Sequence, residues 1–282
     1  RKERVPHVVR DSEILVYGNE SERFADLFHL EPRRPMSAGI LNANEPDGPA
    51  LMGHILEAVS GGADGEGKTV YFSVPAPPLG KEDNVSYHEA ALRQLLGDCG
   101  YEVQSLNEGL AVIYAELERS NYTGIGVSFG GGLCNVCLAY LSAPLFSFSI
   151  AKAGDFIDAS AASVTSEIAT RVRITKETEF RFNGSFRDRL RQAIVVFYQE
   201  MIDAVVAGLK EAFSNSKNVP KIGRPIPVVL GGGSALAAGF RDRFADALNK
   251  AALPVSIADV TLAEDPLNTT AKGALVAALA ET

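Results

Sequence analysis

The sequence predicts an α/β protein in which mixed sheets are flanked by helices. Three observations carry this expectation. Strand-like and helical runs alternate along the whole chain. Near the middle, three strand-like runs follow one another, which calls for antiparallel pairing inside an otherwise alternating pattern. Two glycine turns, Gly130-Gly131-Gly132 and Gly231-Gly232-Gly233-Ser234, stand at the ends of runs that read as buried strands.

In chain order, "SEILVYG" (12–18) reads as a strand and "ESERFADLF" as a short helix. Residues 49–59 place Leu51, Met52, Ile55, Leu56 and Val59 at helical spacing, and "TVYFSV" (69–74) is a β-branched, aromatic strand. A helix over 86–100 stops at Gly100, and "YEVQSL" is a strand. "NEGLAVIYAELERS" is a helix entered through an Asn107 cap. The runs "TGIGVSF", "LCNVCLAYL" and "PLFSFSIA" are the three consecutive strands, followed by a helix from Asp155 to Arg171. A long helix is expected over 186–214, a strand at "IPVVL", a helix over 236–250 and a strand over 254–258. A last helix starts at Asp265-Pro266, proline being favoured at a helix entry.

The 282 residues, 46% hydrophobic and 22% charged, suffice for one large domain or two smaller ones. A net charge of −8 argues against a general nucleic-acid or anionic-membrane binder. No run approaches the roughly eighteen uninterrupted apolar residues of a membrane span. The opening "RKERVPHVVR" has no apolar signal core and no initiating Met, which fits a piece of a longer protein. Three cysteines (Cys99, Cys134, Cys137) do not make a disulfide framework and favour a reducing cytoplasm. Cys134 and Cys137 spell C-x-x-C, but inside a strand residues three apart point to opposite faces, so two small buried hydrophobes are expected rather than a redox or zinc pair. The histidines (His7, His29, His54, His88) form no ligand spacing.

Residues 62–69 match G-x-x-x-x-G-K-[ST], the spelling of a P-loop. A P-loop needs a strand before the glycines and a helix after them, so that free N–H groups converge on phosphate. Here the order is helix, turn, strand, and Lys68-Thr69 opens a strand. The match is read as an ordinary loop.

The two glycine turns are better candidates. Gly130-Gly131-Gly132 joins two strands, either as a plain tight hairpin or as bare backbone free to approach a phosphate. Gly231-Gly232-Gly233-Ser234 lies between a strand and an expected helix, the order that makes an anion site. A dinucleotide fingerprint with Asp259 as ribose ligand fails for want of its third glycine, where Leu236 stands.

These segments together resemble the actin-like ATPase superfamily: actin, the bacterial actin MreB, sugar kinases and the nucleotide-binding domain of DnaK-type chaperones. "VYFSVPA" looks like the strand before the first connecting segment, and "LNEGLAVIYA" like the connecting helix. "SFGGGLCNV" resembles the second phosphate hairpin, written D-x-G-G-G-T-x-D/E-V in the family, and "AGDFID" the turn after it. "VVLGGGSALAAGF" resembles the adenosine motif. "RRPMSAGILNA" and "AEDPLNTTAKGA" resemble stretches of MreB. The resemblance covers nearly the whole chain.

It implies a two-domain actin-like (ribonuclease H-like) fold around a central nucleotide cleft. Residues 1–118 plus 266–282 would form one domain and 119–265 the other, with the Glu108 helix and the closing helix as hinges. It implies ATP or ADP with Mg as cofactor, and Gly130, Gly131, Gly132, Gly154, Asp155, Gly231, Gly232, Gly233 and Ser234 as nucleotide-binding residues. It also implies Glu108 as the residue that orients attacking water, beside the plainer reading of a solvated first-turn acid; Asp155 equally reads as a helix cap. Asp158 is a further residue of that turn, and Lys176 and Glu177 fall where relatives pack the adenine.

The departures are specific. The family's D-x-G-T hairpin is expected ahead of residue 1 and is not in this chain. Ser128, Leu133 and Asn135 replace the acid, threonine and second acid of the second hairpin, and neither Ser128 nor Asn135 supplies the charge that holds hydrated magnesium. No metal site is otherwise expected. Three functions follow: a slow, cytoplasmic bacterial-actin-like ATPase that self-associates into a filament; a degenerate actin-fold protein serving as a structural or regulatory partner; and a sugar-kinase-like phosphotransferase, disfavoured by the absence of substrate-binding insertions. With no peptide-binding domain after Thr282, a complete chaperone is not expected.

Overall fold

The computed structural model describes residues 5–10, 13–18, 20–30, 33–61, 67–80, 85–182, 184, 187–216, 220 and 222–280. The first five residues of the P-loop-like match, 62–66, lie outside them. The flanking elements are a helix, α2 (Gly48–Ser60), closed by left-handed Gly61, and a strand, β5 (Thr69–Val74), so the helix–turn–strand order holds.

The main sheet belongs to the second half of the chain. It is built from β7 (Gly124–Phe129), β8 (Cys134–Tyr140), β9 (Ala143–Ile150), β10 (Ile226–Gly231) and β11 (Ile257–Leu262), in the order β11-β10-β7-β8-β9. Short turns make β7, β8 and β9 antiparallel, whereas helical crossovers make β10 parallel to both β7 and β11. Ile125, Val127 and Phe129 point from β7 into the larger core. That core is closed by α5 (Gly154–Thr165) and by the buried stripe of α7 (Arg189–Asn215): Ile194, Tyr198, Met201, Ile202, Val205 and Leu209. By length and composition α7 could cross a membrane; here one face of it is core.

The other face of the sheet carries α4 (Glu108–Glu116). This helix lies unusually close, because a Cβ on Gly126 of β7 would fall 2.3 Å from the carbonyl oxygen of Gly109, and one on Gly109 would meet the Cys137 nitrogen at 2.7 Å. Two facing glycines thus bring the first turn of α4 onto β7 and β8. Helix α9 (Thr269–Ala280) packs against α4 and against β5.

The first half is thinner. Its β5 and β6 (Glu102–Asn107) pair in parallel around the crossover helix α3 (Val85–Asp98), as a helical connection requires. Two small antiparallel pairs stand apart: β1 (His7–Arg10) with β2 (Glu13–Val16), and β3 (Met36–Ser37) with β4 (Ile40–Leu41). Helix α1 spans Glu20–Phe28. Among the described residues, therefore, the mixed sheet lies in the second half, and the first half carries a parallel pair and two small antiparallel pairs.

Other boundaries differ from expectation, among them the start of α9, which is Thr269 rather than Asp265-Pro266. The strand expected over 12–18 is a hairpin, because β1 supplies its partner. The helix expected over 155–171 is two, α5 and α6 (Ala169–Thr178), separated at Ser166, whose φ of 58° ends the first. The helix expected over 236–250 starts only at Phe240 as α8 (Phe240–Lys250). Before it lie a short 3₁₀ turn, Gly233–Leu236, an extended Ala237 and a left-handed Gly239. The strand expected over 254–258 is displaced to 257–262 because parallel pairing sets Ile257 against Ile226 and Leu262 against Leu230. Asp259 accordingly stands exposed in mid-strand.

Candidate functional site

Three turns singled out in the sequence meet at one place. The β7–β8 hairpin closes with Gly130 N–H donating to the Leu133 carbonyl at 3.0 Å. The start of α5 is tied to its tip: Gly154 N–H donates to the Gly130 carbonyl (3.1 Å) and Asp155 N–H to the Gly131 carbonyl (2.8 Å). From the third turn, the Ser234 hydroxyl donates to the Gly130 carbonyl at 3.0 Å. Gly232 takes φ 87°, and a Cβ there would lie 2.4 Å from the Phe129 carbonyl oxygen, so only glycine fits beneath the hairpin. Its N–H donates to the Pro266 carbonyl at 2.7 Å, which fastens the entry of α9 to the same turn.

These turns edge a cavity of about 430 Å³. Gly130, Gly131, Gly154, Asp155, Gly233 and Ser234 line it, whereas Gly231, Gly232, Gly132 and Leu133 do not. Gly231 faces Thr269 and Val112. Gly132 is pressed onto the β3–β4 turn, where a Cβ would lie 2.0 Å from the Gly39 nitrogen; Leu133 covers the same turn. The third turn differs from expectation in one respect. No long helix starts at Gly233-Ser234, so the aligned N–H groups of a helix N-terminus are at Phe240 instead.

The opposite wall was mostly hidden in the sequence. Phe180 lies over Tyr198, ring centroids 5.5 Å apart and planes at 8°. The Tyr198 hydroxyl donates to the Ser234 carbonyl at 3.2 Å, which explains a phenol on the core stripe of α7. Lys176 Nζ sits 2.8 Å from Asp158 Oδ2 and 3.0 Å from the Gly154 carbonyl, with both charged groups buried. Burial pushes the Asp158 carboxyl up, and Lys176 opposes it. Arg173, Glu177, Leu236 and Leu267 complete the rim. Of this wall, the sequence pointed to Asp158, Lys176 and Glu177 as site residues, and to Leu236 only as the place of a missing glycine. The signal for Tyr198 was a polar tip at a core position of α7.

A second cluster forms at the base of the hairpin. Asn107 caps α4, its side-chain oxygen accepting from Gly109 N–H (2.9 Å) and Leu110 N–H (3.3 Å). Glu108 is thereby aimed at β7 and β8. Its Oε2 accepts from the Ser128 hydroxyl (3.1 Å) and from Asn135 Nδ2 (2.9 Å), and Ser128 and Asn135 are opposite one another across the two strands. The Asn135 amide oxygen accepts from Ala76 N–H at 2.9 Å. Burial raises the Glu108 pKa; the two hydrogen bonds pull it the other way. Glu108 does not line the cavity.

A family magnesium ion would draw on carboxylate oxygens at positions 128 and 135. Neither is present, the Asn135 oxygen is engaged by Ala76, and the Ser128 hydroxyl is spent on Glu108. The donor set at 128 and 135 brings no negative charge and so does not fit the family's divalent cation. Among the described residues no group of three or more His, Cys, Asp or Glu could hold a metal ion. Cys134 and Cys137 are free, buried and in the cores on opposite faces of the sheet; burial pushes the Cys137 thiol up to about 12, so neither is a reactive thiolate. His88 is buried too, accepting from Leu41 N–H at 3.2 Å.

The chain belongs to the Volactin family, whose profile matches residues 1–278. No curated protein matches the sequence. Among solved structures it is similar to the MamK double helical filament, at 17% identity and TM-score 0.71, covering 95% of this chain and 85% of that one. It is also similar to MreB5 of Spiroplasma citri bound to AMPPNP, at 17% identity and TM-score 0.67 over 96% and 87% of the two chains. The ethanolamine utilization protein EutJ from Carboxydothermus hydrogenoformans follows at 18% identity and TM-score 0.56, covering 87% and 79%. The fold is actin-like.

Proposed function

We propose that the protein binds an adenine nucleotide in the cavity between the β7–β8 hairpin, the Gly233-Ser234 turn and α6, and uses that state to control assembly with copies of itself. One observation carries this reading: three separate glycine turns, each resembling a nucleotide motif, are hydrogen-bonded to one another around a single cavity. Gly130, Gly131, Gly154 and Ser234 would face the phosphates, while Phe180, Leu236 and Leu267 supply apolar surface for the base. Residues 1–118 with 266–282, and 119–265, would act as the two domains, with α4 and α9 crossing between them as hinges. The similar MreB5 structure holds AMPPNP, and MamK forms a filament.

A second reading, an assembly scaffold that does not hydrolyse its ligand, is favoured by the engagement of Ser128 and Asn135 with Glu108. Phosphoryl transfer depends on charge placed around the departing phosphate, and these two side chains bring none.

Calorimetric titration of ATP and ADP tests the first reading, with Gly131→Val as control. The atoms nearest a Cβ at Gly131 belong to the Asp155 carboxylate, at 3.6 Å and beyond, an ordinary contact distance, so the variant should fold. Saturable binding to the wild type and binding at least about tenfold weaker in the variant are expected. No binding to folded wild-type protein would overturn the proposal. ATP-dependent pelleting without phosphate release would favour the scaffold over the ATPase.

A further inference from the structure

Asn135 does two things that no carboxylate could do together. Its Nδ2 donates to Glu108 and its Oδ1 accepts from the backbone N–H of Ala76. An aspartate at 135 could keep the Ala76 bond but would face the Glu108 carboxylate with a second negative charge. The bond to Ala76 also has a structural context. Ala76 lies in the segment after β5, and that segment is already stitched to the main sheet: Ser149 N–H donates to the Pro77 carbonyl (2.9 Å) and Leu79 N–H to the Ser149 carbonyl (3.1 Å). Asn135 extends this seam from β9 to β8 and continues it through Glu108 to the capped first turn of α4. Ser128, 4% exposed, and Asn135, 1% exposed, hold Glu108 from two strands at once. Glu108 is held here by two neutral donors with no cation beside it.

We propose that this cleft takes its nucleotide without a divalent cation, and that the chain Ser128–Glu108–Asn135–Ala76 stands in for the metal as the tie between the exit of β5, α4 and the phosphate hairpin. The nucleotide part rests on the function proposed above; the metal-free tie does not. The tie joins elements of both proposed domains, so its integrity and ligand closure are coupled.

Two measurements test the proposal separately. In the first, ADP and ATP are titrated into the wild type in EDTA and in millimolar magnesium. Affinities within about twofold of each other are expected; tightening by magnesium of tenfold or more would overturn the proposal while leaving nucleotide binding intact. Mn²⁺ titrated into nucleotide-free protein, followed by the loss of the free-ion paramagnetic resonance signal, should reveal no stoichiometric site in the wild type. A site lost in Glu108→Gln would overturn the proposal. If no nucleotide binds and no Mn²⁺ site is found, the nucleotide reading falls and the metal-free tie stands.

The second measurement is a thermal-melting cycle. Asn135→Asp should lower Tm by roughly 5–10 °C by opposing two carboxylates. Glu108→Gln in the same chain reverses donor and acceptor, and should recover more than half of that loss. An Asn135→Asp variant that melts like the wild type, or a double variant with no recovery, would overturn the tie. Should Asn135→Asp fail to fold, Ser128→Ala in the wild-type and Glu108→Gln backgrounds reads the same coupling at lower cost.

Discussion

The two halves of the molecule bury their apolar residues in different ways. In the second half one continuous core runs from β7 through α5, α7 and α8. Its aromatic rings interlock: Phe129 meets Phe240 at 4.9 Å and Phe244 at 5.5 Å, both edge-to-face. In the first half, among the described residues, the one buried cluster, on α4 and the end of β6 (Leu106, Leu110, Val112, Ile113), is completed by the main sheet. Its other buried residues are scattered (Leu41, Val74, Val85, Leu96), while Val9, Ile14, Leu27, Phe28 and Leu30 are exposed. The parallel pair β5–β6 gains its burial from α3 and from α9, which also packs on α4. One half therefore specifies its own interior, and the other depends on being docked. The candidate cavity is built on the self-sufficient half, and the β3–β4 turn of the dependent half is pressed onto the tip of the phosphate hairpin.

The largest effect should come from breaking the second core. Phe240→Ala leaves a cavity among Phe129, Phe182 and Phe244 and is expected to cost about 3–5 kcal/mol in denaturant melts, against about 2–3 kcal/mol for Leu96→Ala in the first half. Equal losses would break the contrast. Hydrogen exchange sharpens it: amides of α3, β5 and β6 should exchange well before those of β7, β8 and β10.

Next comes the buried ion pair. Lys176→Met leaves Asp158 without its cation and is expected to cost about 3 kcal/mol at neutral pH. Folded Asp158 already holds its proton more tightly than the unfolded chain, so the deficit should shrink as pH falls and the carboxyl is protonated. A deficit independent of pH would place the cost elsewhere.

Glu108 gives a smaller pH signal, and read against its variant it runs the opposite way. Its pKa is raised above the ordinary 4.5, so its stabilising share is complete below 4.5 and is lost as pH rises through the folded value. Wild-type stability relative to Glu108→Gln should therefore decline from pH 4.5 upward; a flat difference would mean that the two hydrogen bonds cancel the effect of burial. The smallest effect is expected at Lys152–Glu200, 2.9 Å apart but both about half exposed, where a double-mutant cycle should give a coupling below about 1 kcal/mol.

The sequence by itself determined the local events. Hydrophobic period set the strands and helices, and β5 and α2 fell within a residue of expectation because their patterns are uninterrupted. The Asn107 cap, the order that disqualified the P-loop spelling, and the neutral residues at 128 and 135 were all legible, because each depends on neighbours a few positions away. Tertiary structure decided what long-range pairing controls. Parallel registration on β10 moved β11, and left-handed Ser166 and Gly239 redrew three helix ends, since φ at a single residue is not written in period. The closeness of α4 to the sheet required Gly109 and Gly126 to face each other across seventeen positions of sequence, and only that contact brings Glu108 within reach of Ser128 and Asn135. That Tyr198 and Phe180 wall the cavity follows from which turn of α7 meets the Ser234 turn, a fact of packing that no local pattern encodes.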